Sequence, residues 1–395
     1  MKFLYVSFVG KTEQNSGILK KVMGQTRGVA ELGWDARYIC LEGDSVLLND
    51  GGGMVKRKEL PHPLRWRAKQ NAVTERICEF LREESYDVVY IKGFLTSPYA
   101  YRIAKCAKSE NQSSRVIFEI ATYPYWSTYR RLLKKDAETK NFRSLLGNAF
   151  EILQHGATVS RMKRRTDLLA VFGKPVDRLW GIPVVMLDNG VDLEQIPLKK
   201  GNGGSEIRLL GVAGTTISHG YSRVLEGLAR YRESGLFSRN PVIFEIAGDN
   251  GTIAALKEEA RSLHLEDCVH FLGYLDQTGL NRHYDACDAA VSVLGGYRFG
   301  LQYMSPIKSR EYCAAGIPFL YAYEDTLPSD APFAMKIAND PSPVDIPSVV
   351  RFVQQCRGRP EISRQERQFA EDHFAWKIIM ERVLTLVCAA AKDKN

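Results

Sequence analysis

Residues 305–318 read Ser-Pro-Ile-Lys-Ser-Arg-Glu-Tyr-Cys-Ala-Ala-Gly-Ile-Pro, with Lys308, Arg310 and Glu311 at the start of a segment that reads as a short helix. Gly316 and Pro318 close that segment, and the apolar run 319–323 follows as a strand. A cation at a helix N-terminus suits a phosphate, because free backbone N–H groups and the helix dipole already favour negative charge there. Glu311, about one turn further along, can accept hydrogen bonds from sugar or ribose hydroxyls. The combination predicts a site for a phosphorylated sugar.

Such a site needs a frame that gathers helix N-termini at strand ends, and the rest of the chain has that rhythm. Residues 3–9 read as a strand, 18–32 as a helix ended by Gly33, and 36–41 as a strand. Further strands are expected at 86–91, 115–120, 157–160 and 184–187, with a helix over 98–108. The polar, glycine-rich stretch 199–205 marks a linker, after which the pattern restarts. A strand at 207–212 leads to a helix over 221–231; 242–247, 269–272, 289–294 and 319–323 supply later strands. This alternation predicts parallel βαβ units, hence an α/β chain of two doubly wound, Rossmann-like domains. The boundaries expected are 1–200 and 201–374, with 375–395 forming a C-terminal helix that crosses back onto the first domain. Ligands of such folds bind beyond the carboxyl ends of the strands, so the cleft between domains is the expected site.

Composition narrows the partners. Hydrophobic residues make up 45% and charged residues 25% of the 395-residue chain, ordinary globular values. The longest uncharged apolar stretch, 312–323, falls short of the roughly 18 residues a membrane span needs. The opening residues lack the length and cleavage site of a signal peptide and read as a buried strand. The eight cysteines are scattered, with no C-x-x-C pair. That argues against zinc or a disulfide framework and fits a reducing cytoplasm. The formal charge of +8 is uneven: residues 1–200 hold 33 Lys+Arg against 22 Asp+Glu, and the remainder 21 against 24. Basic clusters at 56–58, 65–69, 130–135 and 161–165 point to an anionic membrane surface or a pyrophosphate-linked acceptor. No nucleic-acid-binding module appears.

In order and spacing, several short segments resemble the retaining glycosyltransferases of the GT-B fold, the family 4-like group. Within that group the resemblance is to enzymes of capsule, exopolysaccharide or lipopolysaccharide assembly. The segments are Ser16-Gly17-Ile18 with Lys20-Lys21; 118–125; 188–192; 211–213 with His219-Gly220-Tyr221; 246–249; 342–346; and, most closely, 308–318. The resemblance implies a donor site formed by Gly17, Gly214, Thr215, His219, Gly248, Lys308, Arg310 and Glu311. Gly214, Thr215 and Thr216 would offer backbone N–H groups to a diphosphate, and Lys308 would neutralise it as it leaves. Arg310 reads either as a donor contact or as a core-edge cation. Many relatives carry two glutamates eight residues apart; here Glu311 matches the second, while Tyr303 stands in place of the first. His219 replaces a lysine common in the group. Glu119, Tyr123 and Tyr125, after a strand of the first domain, fall on the acceptor side. Glu119 is a candidate base or hydroxyl ligand, whereas Tyr125 and Trp126 can equally be packing residues.

The chain lacks an Asp-x-Asp triplet, a Gly-x-Gly-x-x-Gly after the first strand and a P-loop. No metal and no cofactor are therefore expected beyond the nucleoside diphosphate sugar itself. The expected activity is transfer of a sugar from that donor to a saccharide or lipid-linked acceptor hydroxyl with retention of configuration. The expected setting is the cytoplasm, peripheral at the inner face of the membrane. Lys308, Glu311 and Glu119 are the expected catalytic groups. Two rivals remain: an isomerase resembling the UDP-sugar 2-epimerases, and a non-catalytic GT-B partner subunit.

Overall fold

The computed structural model describes residues 1–395 except 13, 14, 62–64, 94, 202, 203, 213–216, 250–252 and 390–395. It divides into two units, Met1–Gly190 with Trp376–Asn395, and Val191–Ala375.

In the first unit the apolar runs become β1 (Lys2–Gly10), β2 (Asp35–Glu42), β5 (Val88–Gly93), β6 (Arg115–Tyr123), β7 (Leu168–Gly173) and β9 (Ile182–Met186). All six pair in parallel in the order β2-β1-β5-β6-β7-β9. The sheet is wider than the sequence reading, because β3 (Ser45–Asp50) and β4 (Gly53–Glu59) extend it antiparallel beyond β2, and β8 (Arg178–Leu179) beyond β9. The connecting helices are α1 (Ser16–Ala30), α2 (Trp66–Glu83), α3 (Pro98–Glu110), α4 (Tyr125–Glu138) and α5 (Phe142–Lys163). Residues 157–160, expected as a strand, lie inside α5. The buried residues there, His155, Thr158 and Met162, recur at helical spacing, and the period of 3.6 overrides the local β-branched preference.

The second unit holds a six-stranded, all-parallel sheet in the order β12-β11-β10-β13-β14-β15. Its strands are β10 (Ile207–Val212), β11 (Val242–Ala247), β12 (Val269–Gly273), β13 (Ala289–Val291), β14 (Phe319–Tyr321) and β15 (Ala334–Lys336). Helices α6 (Ser222–Glu233), α7 (Ile253–Ser262), α8 (Gln277–Ala286), α9 (Ile307–Ala315), α10 (Ile346–Arg357) and α11 (Glu361–His373) cover it. The division falls at Gly190/Val191 rather than at residue 200. Val191 and Ile196 are buried in the core of the second unit, and Arg367 there donates to the Ile196 carbonyl at 2.7 Å.

The last helix, α12 (Trp376–Ala389), belongs to the first unit and packs on α1. Gly24 and Gly28 of α1 make this possible: a Cβ on Gly24 would stand 2.2 Å from the Trp376 indole, and one on Gly28 2.6 Å from the Trp376 backbone. Glycines one turn apart thus open a slot for the indole.

Candidate functional site

In the second unit, chemistry gathers around the start of α9. That helix starts after Pro306, whose ring offers no side-chain cap, and a helix N-terminus is a place that suits an anion. Lys308, in the first turn, is half-buried as a residue, and its Nζ is shielded from solvent with no hydrogen-bond partner among the described residues. The ammonium stands over the Tyr221 ring, 5.9 Å from the centroid. Burial lowers its pKa from 10.5 to about 7, with Glu311 offsetting part of the effect. Glu311 sits one turn on, half-buried.

The surroundings are closely packed. Tyr221 packs so closely on Gly211 of β10 that a Cβ there would lie 2.7 Å from the ring. The hydroxyls of Tyr221 and Tyr312 both donate to the Val291 carbonyl, at 3.4 Å each. His219 ends a short 3-10 turn, Ile217–His219, and its carbonyl accepts from Leu294 N–H at 3.0 Å. Its half-buried ring lies 5.7 Å from that of Tyr221, which leaves His219 beside Lys308's aromatic neighbour. Gly248 follows β11 at φ +137°, a conformation open to glycine, and its N–H is already bonded to the Gly273 carbonyl at 2.7 Å. Gly214, Thr215 and Thr216 lie outside the described residues.

Arg310 is not set to meet a donor. It is fully buried and forms a two-pronged pair with Asp325, Nη1 to Oδ2 at 2.7 Å and Nη2 to Oδ1 at 2.6 Å. Its guanidinium also lies over the Phe374 ring, 4.2 Å from the centroid. Of the two readings open from sequence, the geometry selects the core cation, which ties α9 to the segment after β14. Tyr303, at the place of the missing glutamate, bridges by its backbone to Glu324.

In the first unit, Glu119 on β6 is fully buried and both its oxygens are taken. Oε1 accepts from Lys92 at 2.6 Å and Lys21 at 3.1 Å; Oε2 accepts from the hydroxyls of Tyr90 at 2.7 Å and Tyr5 at 3.1 Å. Burial by itself would raise the carboxyl's pKa, but Lys21 and Lys92 outweigh it and hold the group well below its usual range. A carboxylate so saturated is a poor base, which corrects the general-base expectation. Glu119 instead pins α1 to the sheet through Lys21, whose ammonium also sits 3.5 Å from the centroid of the Phe172 ring. Gly17 lies exposed in the first turn of α1 with open space at its Cβ position.

Tyr125 is buried and occupied as well: its hydroxyl accepts from Trp180 Nε1 at 3.2 Å and meets His155 Nε2 at 3.3 Å. It therefore packs rather than reaching an acceptor. Tyr123 stays half-buried at the end of β6, edge-on to the Tyr125 ring.

Sequence reading missed an open cavity of about 210 Å³ in this unit. Trp66, Tyr99 and Tyr129 bring aromatic rings to it, and Gln70, Glu151 and Gln154 bring polar groups. Tyr129 donates to Glu151 Oε2 at 2.6 Å, orienting the carboxylate. The space is roomy enough for several waters, and flat rings with amide and carboxylate groups match a saccharide ring. These residues come from α2, α3, α4 and α5, so only the fold brings them together.

No family model matches the sequence, and no curated protein matches it either. Solved structures match in fold over essentially the whole length, and they define the class: the chain has the two-domain GT-B fold of glycosyltransferases. A glycosyltransferase from Rickettsia africae matches with a TM-score of 0.64 at 10% identity, covering 99% of this chain and 98% of the other. Sucrose-phosphate synthase from Thermosynechococcus elongatus matches with a TM-score of 0.61 at 11% identity, covering 100% of both chains. HepE of Anabaena, solved with UDP-glucose, matches with a TM-score of 0.55 at 14% identity, covering 98% and 100%.

Proposed function

We propose that this protein is a retaining glycosyltransferase that moves a sugar from a nucleoside diphosphate sugar to an acceptor hydroxyl. The reading places it in bacterial surface polysaccharide or glycolipid assembly, in the cytoplasm and peripheral to the membrane. The observation that carries the donor assignment is the buried Lys308 ammonium, which has no hydrogen-bond partner among the described residues and stands at the start of α9. A diphosphate is a ligand that would satisfy the ammonium and suit the positive end of the helix. The fold shared with a protein solved with UDP-glucose supports the same donor class.

In the reaction, the bond between the sugar's anomeric carbon and the diphosphate oxygen breaks while a bond to the acceptor oxygen forms on the same face. The acceptor's proton passes to the departing phosphate oxygen. Lys308 and the α9 N–H groups stabilise the negative charge that builds on the diphosphate. Glu311 accepts a hydrogen bond from a hydroxyl of the donor. The cavity lined by Trp66, Glu151 and Gln154 takes the acceptor saccharide. Glu119 positions the first unit's sheet and α1 and takes no proton.

Incubation with UDP-, GDP-, ADP- and dTDP-sugars, followed by proton NMR, tests the reading. Slow release of nucleoside diphosphate with free sugar first formed in the donor's anomeric configuration is expected from the wild-type protein. An epimerised nucleotide sugar would assign the isomerase alternative, and binding of no nucleotide sugar would assign the non-catalytic one.

A further inference from the structure

Helix α5 carries two apolar faces. His155, Thr158 and Met162 face the core of the first unit. Phe142, Leu146, Phe150 and Leu153 do not: they are 67%, 70%, 37% and 71% exposed. Their spacing of four, four and three residues sets them in one stripe along the helix. Trp126 and Leu132 of α4 and Trp66 at the start of α2 are exposed as well.

Positive charge accompanies this stripe. Residues 125–165 contain ten Lys and Arg against three Asp and Glu. Each of the three acids is engaged within the hairpin. Asp136 is buried and accepts from Ser144 Oγ and Asn148 Nδ2, Glu151 accepts from Tyr129, and Glu138 pairs with Lys134. Arg143, Arg161 and Lys163 are exposed on α5 and Arg164 just after it, and Arg67 of α2 lies over the Phe150 ring, 4.5 Å from the centroid.

We propose that the α4–α5 hairpin is a docking face for the surface of an anionic lipid bilayer. An amphipathic helix with an apolar stripe and basic flanks lies in the plane of the headgroups, where the apolar side chains enter the acyl boundary and the cations meet the phosphates. Among the described residues no helix is long and apolar enough to cross a membrane, so the contact is a surface one. A second copy of the chain suits the face less well. A two-fold contact sets the same patch against itself, and here that opposes two strongly basic surfaces, whereas anionic lipid neutralises them. The inference rests on the membrane-peripheral setting of the proposed function and assigns it a surface, while the sugar-transfer chemistry is tested separately by the donor assay. It adds to the transferase reading only that Glu151 and Gln154, on the same helix, would be carried to the lipid surface with the stripe.

Flotation of the full-length protein with phosphatidylcholine vesicles, and with equimolar phosphatidylcholine–phosphatidylglycerol vesicles, tests it. Binding to the anionic vesicles that weakens as salt rises is expected, with little binding to the neutral ones. The pair Leu146→Asp with Leu153→Asp should cut anionic binding by about tenfold or more at an unchanged melting temperature. Arg143→Glu with Arg161→Glu should do the same through charge. Equal binding to neutral vesicles, or unaltered binding by both variant pairs, overturns the proposal. So does failure to float together with a concentration-dependent dimer that the leucine variants abolish, which would give the face to a second copy.

Discussion

Replacing Lys308 by Met should make the ligand-free protein more stable. In the folded chain the ammonium is shielded from solvent and has no hydrogen-bond acceptor among the described residues, and burial lowers its pKa from 10.5 to about 7. At about 1.4 kcal/mol per tenfold, that displacement corresponds to roughly 4–5 kcal/mol of cost in keeping the charge. Methionine keeps the length and apolar stem of the side chain, so the variant should gain ~3 kcal/mol at pH 7. The transition of the second unit would then rise by about 6–12 °C, taking about 2–4 °C per kcal/mol for a unit of this size. The sign with pH is definite. A lysine whose folded pKa is lowered costs stability in full below the folded value of about 7, and the cost fades as pH rises toward the unfolded value. The gap between variant and wild type should therefore be widest below pH 7 and close by about pH 10.5. Differential scanning calorimetry across that range measures it. A variant less stable than wild type at pH 7, or a gap that does not narrow with pH, would refute an unpaired buried ammonium.

Other variants separate structural from functional charges. Glu119→Gln should destabilise the first unit by about 3–5 kcal/mol, because it strands Lys21 and Lys92; urea unfolding that matches wild type would contradict the cluster. Arg310→Met should lower thermal stability by orphaning buried Asp325 while leaving nucleotide affinity within a few-fold of wild type. Loss of affinity with unchanged stability would return Arg310 to the donor site. Gln154→Ala should raise the acceptor KM at least about tenfold, roughly the loss of one or two hydrogen bonds, with donor hydrolysis unchanged; equal effects on both would place the acceptor elsewhere.

Much of the frame was legible because buried parallel strands are near-continuous apolar runs. The strands β1, β5, β10 and β11 stood out for that reason. The strand β4 did not, since Gly53–Glu59 is a charged edge exposed along most of its length. Residues 157–160 misled because Thr and Val side by side mimic a strand, although the flanking burial period is helical. At the site, Lys308 was readable from its place ahead of Gly316 and Pro318. Arg310 and Glu119 look like site residues in sequence because charge type says nothing of partner. Asp325 is 15 positions from Arg310, and Lys21 is 98 from Glu119. The cavity lined by Trp66 and Glu151 carries no local signal at all, being assembled from four helices.

The central claim is that Lys308 receives the diphosphate of a nucleotide sugar. Isothermal titration of the wild-type protein and of Lys308→Met with UDP-, GDP-, ADP- and dTDP-sugars at pH 7 addresses it most directly. At least one of these donors should bind the wild-type protein and lose about 30-fold or more in the variant, at about 2–5 kcal/mol for a buried charge partner. Donor binding of equal strength to both proteins would contradict it.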